Sequence, residues 1–356
     1  MTAAFAFNVV ATSGRARAGV LTTPHGDVPT PAFMPVATQA TVKMVTPEEL
    51  AAAGTSILVA NTYHLHLRPG EDAVAALGGL HRFMGWNRAL LTDSGGFQVH
   101  SLSPLRKIDD DGVTFRSHLD GRELRLTPES ATAIQETLGA DLAMALDYCT
   151  SHPTTREEAE RAVALTTAWA RRCRDAHRSP TQRLLAIVQG ALFEDLRERS
   201  ARDLGALDFF GYAVGGLAVG EDAADTAACV RFTAPLLPEA KPRYLMGVGR
   251  PEDIASAVAA GIDLFDCVIP TREGRHGAAL TAEGRVNVRQ AAFSRDDAPL
   301  EAGCGCYTCR RFSRGYLRHL VMADESLGAR LLSLHNIHYL QRHVADLRAG
   351  IVAGKN

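Results

Sequence analysis

Eight short apolar runs recur along the chain at a nearly even beat: PAFMPVAT (31–38), SILVANTY (56–63), ALLTDSGG (89–96), DLAMALDYC (141–149), RLLAIVQG (183–190), GYAVGGL (211–217), RYLMGVG (243–249) and LFDCVIP (264–270). Each is too short for a buried helix, and none alternates as a half-exposed strand would. They read as strands sealed on both faces. Helical patterns lie between most of them. Thr46 precedes Pro47 and Glu49, and Thr127 precedes Pro128 and Glu129, which places a cap, a first-turn proline and acids in the order that starts a helix. Residues 155–177 are amphipathic throughout. Strand and helix alternating eight times predict an α/β fold, a (β/α)8 TIM barrel over residues 31–270, with a doubly wound open sheet as the structural alternative.

Three segments exceed a minimal barrel. Residues 1–30 carry weak alternation around SGR and HGD turns and predict an N-terminal β-hairpin closing the barrel bottom. Residues 100–126 predict a second hairpin, turning at Asp120-Gly121 and inserted after strand three. Residues 271–356 form a C-terminal subdomain, and the three parts together are expected to make one catalytic domain over 1–356.

Charge separates that last segment from the rest. The chain of 356 residues has a formal net charge of −2, yet residues 271–356 hold 13 of its 38 Lys+Arg and only 8 of its 40 Asp+Glu. A basic end points to an anionic partner, or to a surface of solvated arginines. No run reaches the ~18 apolar residues of a membrane span, and the N-terminus lacks a basic stretch ahead of an apolar core. A cytoplasmic protein with no membrane partner is expected, and seven cysteines without an export signal argue against a disulfide framework.

The strand ends carry the chemistry. Asp93 closes strand three, Asp147 strand four, Gln189 strand five, Gly215-Gly216 strand six and Met246 strand seven, while Asp266 lies within strand eight. Barrel enzymes draw their catalytic groups from these ends, and several carboxylates buried together are costly unless chemistry uses them. A second constellation, Cys304, Cys306 and Cys309 with His335, suits one tetrahedral zinc with no open position, so a structural metal. Spacing alone leaves His338 and His343 as alternatives to His335. Cys173, Cys229 and Cys267 are scattered and read as isolated thiols. A retaining glycoside hydrolase would also place two acids in a barrel mouth, but only two Trp are present and neither sits at a strand end. A non-catalytic RNA-binding module would have no use for those acids, which repel phosphate.

The chain resembles the tRNA-guanine transglycosylases, bacterial type, through TPAFMPVATQATVK (30–43), ANTYHLHLRPG (60–70), LTDSGGFQV (91–99), VQGALFEDLR (188–197), GGLAVGE (215–221), YLMGVG (244–249), FDCVIPTR (265–272), CGCYTC (304–309) and SLHN (333–336). The resemblance implies a zinc-carrying barrel, one Zn2+ per chain. It implies exchange of the wobble guanine in G-U-N anticodons (the Asp, Asn, His and Tyr tRNAs) for a 7-deazaguanine, here 7-aminomethyl-7-deazaguanine, and a homodimer. Asp266 matches the nucleophile that attacks C1′ of the ribose, and Asp93 the general acid/base. Asp147, Gln189 and the Gly215-Gly216 backbone match the groups reading the base edge, with Phe97 and Met246 sandwiching the ring. Arg272 and Arg275 match tRNA contacts in a basic loop, TREGRHG (271–277), and Glu221 matches a residue supporting the strand-six loop. Cys149 and Val219 occupy the two positions that distinguish the bacterial from the queuine-using eukaryotic form. Tyr148, Glu273 and His276 depart from the usual pattern, which has Glu at the first and Asn at the other two.

Overall fold

The computed structural model describes residues 5–98 and 106–355. Eight parallel strands close into a barrel: β1 (Ala32–Ala37), β2 (Ile57–Ala60), β3 (Ala89–Thr92), β4 (Leu142–Met144), β5 (Arg183–Val188), β6 (Gly211–Val214), β7 (Arg243–Leu245) and β8 (Leu264–Cys267). Each strand pairs with its sequence neighbours, and β8 returns to β1 with Leu264 opposite Ala32 and Cys267 opposite Pro35. The open-sheet alternative is thereby excluded.

Local sequence explains where the helices between strands begin. Thr46 and Glu49 form a reciprocal capping box ahead of helix Pro47–Ala52. Thr155 caps helix Arg156–Ala176, whose Ala159, Ala162, Val163, Thr166, Trp169, Ala170 and Cys173 make one buried stripe at helical spacing. The barrel interior is filled by Met34, Ile57, Val59, Leu91, Leu142, Met144, Leu185, Ile187, Tyr244 and Leu264, and Leu21 and Val28 from the N-terminal sheet join this cluster from below.

Both expected hairpins are present and each carries a third strand. The N-terminal sheet runs Ala6–Ser13, Ala16–Thr23 and Gly26–Thr30. The inserted sheet runs Arg106–Asp109, Gly112–Arg116 and Glu123–Leu126, with Gly121 at φ +74° in the loop before its last strand. Residues 100–105 of the insertion lie outside the described residues.

Under the barrel, the Arg17 guanidinium pairs with buried Asp263, which also accepts from the Arg243 N–H at 2.7 Å. Buried Asp141 accepts the Leu90 N–H at 2.9 Å and lies 2.7 Å from His25 Nδ1 and 3.2 Å from His81 Nε2, whose rings stack. The long helix Ser326–Val352 fastens distant parts together. Its Gln341 donates to the Phe33 carbonyl of β1 at 2.9 Å, and its Arg348 reaches the carbonyls of Gly19 and Thr30 at 2.6 and 2.5 Å. Among the described residues no helix is long and apolar enough to cross a membrane.

Candidate active site

β3, β4 and β8 bring Asp93, Asp147 and Asp266 to the C-terminal mouth of the barrel, each near or just past the end of a strand that is otherwise mostly apolar. Asp93 accepts from Asn61 Nδ2 at 2.5 Å, from the Thr62 N–H at 3.0 Å and from the Gly95 N–H at 3.1 Å. Asn61 and Thr62 come from the turn after β2, where Asn61 also caps helix Thr62–Leu67, and Gly95 from the turn after β3. Burial, reinforced by the nearby Asp266 charge, pushes the Asp93 carboxyl up to about 7 despite those bonds.

Asp266 Oδ1 accepts from Tyr244 Oη at 2.6 Å and from the Gly247 N–H at 2.8 Å. Its Oδ2 has no hydrogen-bond partner among the described residues, and Asp266 keeps part of its surface toward the mouth. Burial raises its pKa, and raises that of Tyr244 well above the phenol range with the Asp266 charge adding to it. One oxygen is held by two donors and the other is left free of them.

Asp147 is deeper, 7% exposed. Gln189 Nε2 donates to its Oδ2 at 2.8 Å and Ser94 Oγ to its Oδ1 at 3.1 Å, while burial pushes it up to about 6. None of the three acids forms an ion pair among the described residues.

β6 ends in Gly215-Gly216. A Cβ at Gly216, φ +66°, would lie 2.3 Å from Gln189 Oε1, so only glycine lets this backbone approach the amide. Beyond it, Glu221 accepts the N–H groups of Ala218 and Val219 at 2.5 and 3.0 Å and the Thr226 hydroxyl at 2.7 Å, which braces the loop carrying Val219. Cys149 is buried beside these groups, its thiol pushed up to about 12 by burial. Met246 follows β7 half-buried, and Phe97 is 44% exposed.

The basic segment after β8 is a helix, Ile269–Arg275, and not the loop expected from TREGRHG. Pro270 in its first turn is the signal that the sequence reading passed over. Arg272 is exposed and Arg275 half-buried, with the proton affinity of Arg275 lowered by burial and by Arg272. The three unusual residues are absorbed locally. Arg285 Nε donates to Glu273 at 2.6 Å, His276 Nδ1 lies 2.8 Å from the Arg272 carbonyl, and the Tyr148 hydroxyl bonds Glu158.

The Cys304, Cys306 and Cys309 sulfurs lie 3.9, 3.4 and 3.4 Å from His335 Nδ1. Metal–S bonds of 2.3 Å and a metal–N bond near 2.0 Å at tetrahedral angles require about 3.5 Å between such atoms, so the four donors fit one ion. The structure selects His335 over His338 and His343: its Nε2 is fixed by the Leu280 carbonyl at 2.8 Å, which turns Nδ1 toward the sulfurs. Its neighbour Asn336 donates to the carbonyls of Pro270 and Ala278, both at 3.0 Å, and accepts from the Leu280 N–H at 2.7 Å. The metal cluster is therefore one residue away from the contact that seats the arginine helix.

Comparison with known proteins agrees with this arrangement. The sequence profile described as queuine tRNA-ribosyltransferase matches residues 12–356. A queuine tRNA-ribosyltransferase of Pelotomaculum thermopropionicum is 54% identical over 96% of this chain and 92% of its own length, and one of Gloeobacter violaceus is 56% identical over 99% and 95%. That of Geobacillus thermodenitrificans is 53% identical over 99% of this chain and 93% of its own length. A barrel whose mouth gathers these acids, and a profile match spanning nearly every residue, establish that the chain belongs to the queuine tRNA-ribosyltransferase family.

Proposed function

We propose that this enzyme acts on tRNA as a tRNA-guanine transglycosylase, exchanging the wobble guanine of G-U-N anticodons for 7-aminomethyl-7-deazaguanine within queuosine modification. The carrying observation is the group of carboxylates at the mouth, which among the described residues pair with no cation and leave Asp266 Oδ2 without a hydrogen bond. Asp266 forms a bond to ribose C1′ as the C1′–N9 bond breaks, and that electron pair stays on N9, which takes the proton of Asp93. The incoming base then returns its N9 proton to Asp93 and attacks C1′, releasing Asp266. A carboxyl near 7 can be found in either state at neutral pH, as this shuttle needs.

Asp147, ionised above about 6, accepts from the N1 and 2-amino donors of the base, while Gln189 and the Gly216 N–H serve its carbonyl. Phe97 and Met246 close on its faces, after the nucleotide has left its stack. Arg272 and Arg275 meet the tRNA backbone. The Cys304, Cys306, Cys309 and His335 set holds zinc, which when bound ties the C-terminal segment together and leaves no position for a reacting water. The assembly is a cytoplasmic homodimer. Cys149 and Val219 restrict the 7-substituent to the aminomethyl group, so Val219→Gly should admit queuine.

The test is release of labelled guanine from tRNA on addition of the aminomethyl base, with a denaturant-resistant tRNA adduct in wild type and none in Asp266→Asn. An undiminished adduct in that variant would move the nucleophile elsewhere. Metal content near one zinc per chain, lost with Cys306→Ser together with stability and tRNA affinity, tests the cluster.

A further inference from the structure

Behind the base-reading strand ends stands a buried cation that no carboxylate among the described residues touches. Arg197, in helix Glu194–Gly205, is 0% exposed and forms no ion pair among the described residues. Its guanidinium donates to three backbone carbonyls, Nε to Ala191 at 2.8 Å and Nη1 to Val188 at 3.2 Å and Gly215 at 2.8 Å, with the Cys229 thiol beside it. The buried Nη2 has no hydrogen-bond partner among the described residues. An uncompensated buried charge is costly, and packing alone would be served by an apolar side chain of the same length.

The three acceptors locate its use. Val188 and Ala191 flank Gln189-Gly190, and Gly215 begins the glycine pair after β6. The carbonyl of Gly215 and the N–H of Gly216 belong to one planar peptide unit. A guanidinium on that carbonyl draws electron density along the amide and makes the N–H at its other end a stronger donor. This N–H lies against the Cys149 thiol and beside Gln189, whose amide bonds Asp147.

We propose that Arg197 is a positioning residue for base selection: bonded to the Gly215 carbonyl, it polarises and fixes the Gly215-Gly216 peptide so that the Gly216 N–H grips the carbonyl oxygen of a guanine-type base. Through Val188 and Ala191 the same cation sets the backbone of Gln189, so both groups that serve the carbonyl depend on one side chain. The inference rests on the base-exchange reading above and adds the residue that makes the pocket demand an oxygen at that position.

The measurement is direct binding of two free bases to the full-length protein: guanine, and 2-aminopurine, which lacks the carbonyl oxygen and the N1 proton. Arg197→Met should weaken guanine by about tenfold, the worth of a hydrogen bond strengthened by a charge, and leave 2-aminopurine within about twofold. A residue that merely holds the fold together would weaken both bases alike, and parallel losses would overturn the proposal. Should the methionine variant fail to fold, Arg197→Lys keeps a buried cation that cannot bridge three carbonyls; a selective loss for guanine supports the role and equal losses sink it. Wild-type protein that releases no guanine from tRNA would instead overturn the base-exchange reading itself.

Discussion

Both ends of the barrel bury carboxylates, and they surround them with different chemistry. At the N-terminal end Asp263 meets the Arg17 guanidinium, and Asp141 sits between His25 and His81. At the C-terminal end, among the described residues, Asp93, Asp147 and Asp266 receive only amides, hydroxyls and backbone N–H groups. Neutral donors orient a carboxylate without cancelling its charge, so its proton affinity stays high and it remains reactive. At the other end the hydrogen bonds of the two histidines and the Leu90 N–H hold Asp141 below the usual carboxylate range although burial opposes them. Asp263 is the intermediate case, since burial outweighs Arg17 and still lifts it. The acids of the lower end are paired, and among the described residues those of the mouth are left without a cation.

The contrast is broken most directly by Asp266→Asn. Exchange should fall by about 10^4-fold or more, as for loss of a nucleophile, while thermal unfolding moves little or upward because an unpaired buried charge is gone. Arg17→Met should do the opposite. Stripping the cation from Asp263 should cost about 3–5 kcal/mol in urea unfolding and leave turnover per folded molecule unchanged. If the folded Arg17 variant lost its turnover, the two ends would not be separable.

Stability against pH sharpens the same comparison. Asp93 and Asp147 have folded values of about 7 and 6, so between their unfolded range near 4 and those values the native state binds protons that the unfolded chain releases. Their contribution therefore makes stability fall as pH rises from about 5 to 7, at up to roughly 1.4 kcal/mol per unit for each group. Asp141, with its lowered value, stabilises above the unfolded pKa and loses that contribution as pH falls through the folded one. Urea midpoints should peak on the mildly acidic side, and Asp93→Asn should flatten the decline toward pH 7. A decline that survives in that variant would mean the mouth does not govern it. The smallest change expected is His25→Ala, which removes the more exposed of the two Asp141 partners: about 1 kcal/mol of stability, with no effect on exchange.

The acids of the mouth were readable because each interrupts an apolar strand pattern, which chain-local hydrophobicity cannot explain. The acids of the opposite end were not, since Asp141 acquires its meaning from His25 and His81, which lie 116 and 60 positions before it. Asn61 could be seen as a helix cap, but its bond to Asp93 spans two strands and leaves no local mark. Tyr244 passes for packing in a buried strand until its hydroxyl is found on Asp266. Arg197 stands in a motif whose likeness is plain, yet nothing in the sequence says that an arginine on a helix points inward. The extra strand of each sheet escaped notice because GDVPT and RKID are short and polar, with no run to distinguish them from turns.

Helix Ser326–Val352 gives this protein a built-in order of assembly during synthesis. It supplies the histidine of the metal cluster, the Asn336 contacts that seat the arginine helix, the Gln341 bond to β1 and the Arg348 bonds to the N-terminal sheet. Phe33 of β1 thus meets its Gln341 partner only after a further 308 residues have been made. The three mouth acids, at 93, 147 and 266, all precede the Asn336 contacts that seat the helix bearing Arg272 and Arg275, so a nascent chain carries its acids before it can fix that helix.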